Sequence, residues 1–191
     1  MGNKRLIVKK KGFEYYMNAI HYCIYREEVW SNAVCLKTVM KCMRVISELL
    51  NLKEWYYRRD ESIRKDTKGL NYMFGKESGL SIGMAHHWFG LFYSAYPAFF
   101  SWVLVGIADR TFGELNKILF LLFFGIPIVI CYIPAYKAVF SDDKYLKYFK
   151  QFEKEDKQWH KKWKRITIVF CVGALLTLVI GFFCMAIITS L

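Results

Sequence analysis

The sequence predicts an all-α integral membrane protein with three transmembrane helices and a helical region outside the bilayer. Three observations predict it. Residues 88–108, 118–136 and 166–191 are apolar stretches without a single Asp, Glu, Lys, Arg or His, each long enough for a bilayer crossing of about 20 residues. The stretches around them repeat apolar residues at helical spacing. Lys and Arg are collected into two segments: 16 in residues 1–87 against nine acids, ten in 137–165 against five, and two in 108–117 against two.

Taken in order, Met1–Gly12 is a basic arm suited to water or to anionic headgroups. Nothing in it reads as a secretory leader, and Leu6 breaks the myristoylation pattern that Gly2 would begin. From Phe13 to about Tyr57 the pattern is helical. Phe13, Tyr16, Met17, Ile20 and Ile24 share one face. Val29, Ala33, Leu36, Met40, Met43 and Leu50 share another, with Lys37, Lys41, Arg44 and Glu48 off it. Those three cations would each cost about 2.5–3.5 kcal/mol at the centre of a span, so this segment is expected outside the bilayer core or at its surface. Residues 58–68 are charge-dense, and Gly69 marks a stop. Residues 69–83, with four glycines and little periodicity, are expected to form a loop. The GKES run at 75–78 lacks the glycine spacing and the hydroxyl residue after Lys that a phosphate loop needs.

Pro97 in the first span, and Pro127 and Pro134 in the second, are expected to kink their helices. Ser141, Asp142 and Asp143 read as a helix start, with acids favoured by the positive end of the helix dipole. From Lys144 the faces separate. Tyr145, Tyr148, Phe149, Phe152, Trp159 and Trp163 fall on one side; Lys147, Lys150, Lys154, Lys157, Lys161 and Arg165 fall on the other. His160 goes with the basic side. A stripe at steps of four and three runs from Tyr145 through Phe152, Asp156, Trp159, Trp163, Gly173 and Thr177 to Cys184. A helix unbroken from about Asp143 to Ser190 would carry this stripe as one seam, and the spacing alone leaves open whether the 144–165 helix continues into the third span. Gly173, Thr177 and Gly181 form a small-residue face of the kind that lets helices approach closely in lipid, within one chain or between copies.

Four regions result: a basic amphipathic cytoplasmic region 1–87, a transmembrane hairpin 88–136, a cytoplasmic basic amphipathic helix 137–165 and a third transmembrane helix 166–191. The charge distribution puts the N-terminus in the cytoplasm and the C-terminus outside, in the cell (inner) membrane.

Chemistry is sparsely marked. The six cysteines form no CxxC pair and read as free thiols. His86 and His87, beside Trp88, lack further ligands at helical spacing and fit an interfacial belt. Asp142 and Asp143 are paired acids, a helix cap in the first instance and acid/base or metal-holding groups in the second. Together with the two histidines they would make a lipid-headgroup-modifying enzyme, the third of three expectations. The first is a non-enzymatic protein that oligomerises through Gly173, Thr177 and Gly181 in the membrane and Phe152, Trp159 and Trp163 below it, forming a pore or otherwise altering permeability behind a cytoplasmic sensing region. The second is an anchor that recruits a cytoplasmic protein complex, with nucleic acid reached only indirectly because basic and aromatic residues are segregated rather than interleaved. Spans without ionisable groups argue against a self-contained pump. No cofactor is expected; the expected partners are anionic bilayer lipid and further copies of the chain.

Overall fold

The computed structural model describes residues 12–75 and 79–190, and among these every regular element is a helix. They are α1 (Phe13–Leu49), α2 (Lys53–Lys65), α3 (Thr67–Phe74), α4 (Leu80–Phe112), α5 (Lys117–Val139), a short 3-10 turn (Ser141–Asp143), α6 (Lys144–Phe152) and α7 (Lys157–Ser190). Three helical stretches, ending in Phe112, Phe152 and Ser190, are long and apolar enough to cross a membrane. The basic arm, except Gly12, and residues 76–78 of the GKES run lie outside the described residues. The chain forms two compact units, one of residues 1–22 with 90–191 and one of residues 23–89.

The first unit is built on α4. Tyr93 donates its hydroxyl to the Cys131 carbonyl of α5 at 3.2 Å, and Tyr96 donates to the Phe170 carbonyl of α7 at 2.7 Å. Trp102 lies between the same two neighbours, its ring 4.7 Å from Phe124 and 5.7 Å from Phe182. α4 thus offers hydrogen bonds and aromatic edges to both sides, the kind of contact that holds helices together where lipid removes the hydrophobic drive. Gly113, at φ 83, ends α4 in the left-handed conformation that glycine adopts without strain, and Asn116 caps α5 by accepting from the Leu119 amide at 2.9 Å. Pro97, Pro127 and Pro134 sit inside helices that continue through them.

The segment that carries the stripe is two helices, α6 and α7, rather than one unbroken run. Residues 153–156 form a turn, and the Asp156 carboxylate accepts from the Trp159 amide at 2.7 Å. Asp156 is therefore not a rung of the stripe but the N-cap of α7. Beyond it the buried positions of α7 are Trp163, Thr167, Ala174 and Gly181. The buried line has slipped one residue from the Ile166–Gly173–Ile180 phase of the expected stripe, and Ile180 is exposed.

The second unit contains α1 from Cys23 onward, α2, α3 and the first ten residues of α4. Asn51, at φ 57, closes α1, with the Leu52 amide donating to the Ser47 carbonyl at 2.8 Å. That turn folds α2 back, and the Tyr56 hydroxyl donates to the Met40 carbonyl of α1. The loop expected at 69–83 is largely helix. Asp66 accepts from the Gly69 amide at 2.9 Å and starts α3, and α4 begins at Leu80, well before Trp88. Ser81 holds this layer together, donating to the Met73 carbonyl and accepting from the Asn32 side chain.

Candidate functional site

The densest polar and aromatic cluster of the first unit is the seat of the α1 start against α6 and the foot of α7. Residues 18–25 are all buried, so this part of α1 is covered on every side and shows no amphipathic stripe. The face expected from Phe13 and Tyr16 is instead half exposed. Two polar residues that no apolar pattern would pick, Asn18 and His21, are fully buried. The Asn18 amide nitrogen donates to the Glu14 carbonyl at 2.8 Å and to the Ala138 carbonyl of α5 at 2.9 Å, which ties α1 to the end of the second span. His21 lies among the rings of Phe140, Tyr145 and Phe149, at 5.3–5.7 Å.

At the edge of this seat the Glu14 carboxylate accepts from Lys144 Nζ at 3.1 Å and from the Tyr148 hydroxyl at 3.0 Å. Burial, and then the Glu14 carboxylate itself, push the Tyr148 phenol up to about 12. On the other side Trp159 Nε1 donates to the Tyr15 hydroxyl at 2.9 Å. Burial raises the Tyr15 phenol, against the opposing pull of that N–H. Phe152 and Trp159 stack at 4.8 Å, and Tyr15 meets Phe152 and Trp163 edge-on. The aromatic side of the 144–165 segment is accordingly covered, with Tyr145, Tyr148, Phe149, Phe152 and Trp163 buried and Trp159 half buried. Lys147, Lys150, Lys154, Lys157, Lys161 and Arg165 are exposed. His160 departs from the basic side and is half buried, its ring 6.0 Å from Tyr22.

Gly173, Thr177 and Gly181 face α4 of the same chain or bond within their own helix. A β-carbon on Gly173 would lie 2.8 Å from the Tyr96 hydroxyl oxygen, and one on Gly181 would lie 3.1 Å from the Phe99 Cα. The Thr177 hydroxyl donates to the Gly173 carbonyl at 2.8 Å.

The paired acids and the paired histidines belong to different units. Asp142 and Asp143 are exposed and both left-handed, at φ 56 and 51; Asp143 occupies the N-cap position of α6 without a side-chain cap bond. The cap expected there is thus made by backbone position alone. His86 is half buried and His87 exposed, its ring 5.8 Å from Trp88. Among the described residues no three His, Cys, Asp or Glu side chains converge on a metal position.

The second unit carries a feature that the sequence reading passed over. Along α1, Cys35, Val39, Cys42, Ile46 and Leu49 are all exposed. Their steps of four and three are visible in the sequence, but the neighbouring face containing Leu36 and Met40 was the stronger core candidate. Leu50, Leu52 and Trp55, in the turn that follows and at the start of α2, are exposed as well. Comparison with known families, with curated proteins and with solved structures returns no match.

Proposed function

We propose that this chain is a non-enzymatic membrane protein that works by associating with further copies, and that the assembly, rather than the single copy, alters the permeability of the bilayer. The observation that carries the reading is the apolar surface that Val39, Ile46, Leu49, Leu50, Leu52 and Trp55 expose on helices that are not spans. Apolar surface exposed together marks an interaction site, and the spacing of Val39, Ile46 and Leu49 puts them on one side of α1. Within one copy residues 88–108, 118–136 and 166–191 carry no ionisable side chain, and Tyr96 and Trp102 join α4 to its two neighbours. A conducting route would be formed between copies. In this reading residues 1–87 and 137–165 face the cytoplasm of the cell membrane, on the Lys/Arg distribution.

The test is the protein mass of the full chain in detergent and in nanodiscs, with conductance of the same preparation in a planar bilayer. A mass of two or more copies with conductance supports the reading. A single-copy mass at every protein concentration removes it. The exposed basic row from Lys147 to Arg165 favours a second reading, an anchor that recruits an acidic cytoplasmic complex, including one that contains nucleic acid. Multi-copy mass without conductance, and with a soluble partner retained through purification, would put that reading first.

A further inference from the structure

We infer that Cys35, Val39, Cys42, Ile46 and Leu49 of α1 form the seam of a two-stranded parallel coiled coil with the same helix of a second copy. This rests on the associating role proposed above and names the surface that does it.

Three features of the stripe select a partner helix, and a copy of this one. First, the steps of four and three keep it in phase with a partner helix over two heptads, a register that a lipid surface does not require. Second, Val39 and Ile46 fall at a positions and Cys35, Cys42 and Leu49 at d positions. β-Branched residues at a with Leu at d favour two parallel strands; both a positions fit, and Leu49 is the one leucine at d, beside two cysteines. Third, every seam position is uncharged, so pairing a with a and d with d sets no like charges against each other, as a two-fold contact between identical patches requires.

Two heptads are too few to order an isolated peptide. This helix is already ordered. Tyr56 of α2 bonds its backbone at Met40, Asn32 bonds Ser81 of α4, and Asn51 closes its end. Pairing therefore requires no further ordering of the helix backbone, and confinement to one bilayer lowers the cost of bringing the second copy alongside.

The test compares the full-length wild type with Val39→Glu/Ile46→Glu and with Lys37→Glu/Lys41→Glu, by mass in mild detergent. Helix content by circular dichroism confirms folding, since all four positions are exposed. The proposal expects the wild type and the lysine variant to hold at least two copies, and the Val39/Ile46 variant to fall to half the mass or less. In native membranes a short bis-maleimide should join two wild-type copies and fail to do so in Cys35→Ser/Cys42→Ser. A multi-copy mass unchanged by Val39→Glu/Ile46→Glu, or a cross-link that survives loss of both cysteines, overturns this seam and leaves association through another surface standing. A wild type of single-copy mass, without a cross-link in membranes, overturns both.

Discussion

Glu14 shows how one residue, through its side chain and its backbone, can help hold three helices near a single point. Its carboxylate receives Lys144 and Tyr148, while its carbonyl receives Asn18, which also bonds the end of α5. The Lys144 pair is half exposed, so it contributes no more than the roughly 0–1 kcal/mol of a surface ion pair. The Tyr148 bond is the better sheltered, and Tyr148→Phe should cost about 1 kcal/mol of stability in detergent by thermal unfolding. It also has a pH signature. The folded Tyr148 phenol is raised from 10.0 to about 12. Its stabilising contribution is therefore complete below about pH 10 and lost as pH rises through the folded value. The wild type minus Tyr148→Phe difference in ultraviolet tyrosinate absorbance should show one phenol titrating well above the ordinary range. A difference curve centred at the ordinary phenol value would remove the Glu14 contact from the account. None of this was legible in the sequence. Asn18 and His21 break the apolar pattern, and a buried polar residue is recognised only once its partners are in place.

At the scale of elements, the spans and the aromatic side of α6 were legible because long, strongly periodic segments dominate a sequence. The breaks between helices were not. Asp156 fits a heptad rung by spacing alone, and only its bond to the Trp159 amide shows it to be a cap. Asp66 was hidden in the same way among the charges of 58–68, and α3 with it. The small-residue face was found, and α4 of the same chain occupies it at Gly173 and Gly181. That changes what a substitution there would report. Gly181→Leu would drive a side chain into the Phe99 backbone and should destabilise the protomer itself, by about 1–3 kcal/mol as overpacking does. Gly125→Leu on α5 meets nothing within 4 Å and should be tolerated. Thermal stability of the two variants in the same detergent separates them. Equal stability would mean that α7 does not pack on α4 as described. For the same reason the proposed contact between copies lies on the exposed stripe of α1 and not on this face of α7.

At the scale of the whole molecule, the distribution of charge is the strongest functional statement the chain makes. Segments 1–87 and 137–165 hold 26 of the 28 Lys/Arg, and the spans between them hold none. Three crossings would put the two ends of the chain on opposite sides, which is the arrangement the positive-inside bias also expects. The turn between α4 and α5 carries Arg110 and Lys117 against Asp109 and Glu114, leaving it neutral and free to cross. The expected arrangement has residues 112 and 190 outside and residues 58 and 150 in the cytoplasm. Phe112→Cys and Lys150→Cys are exposed positions on which to read it. Each would be introduced into a chain whose own cysteines are replaced, and intact cells would be treated with an impermeant maleimide. Labelling should occur at 112 in intact cells and at 150 only after the membrane is opened. The reverse pattern would invert the protein. It would also turn the α1 stripe and the basic row of α6 and α7 away from the cytoplasm, and the cytoplasmic partner of the second functional reading would have no surface to meet.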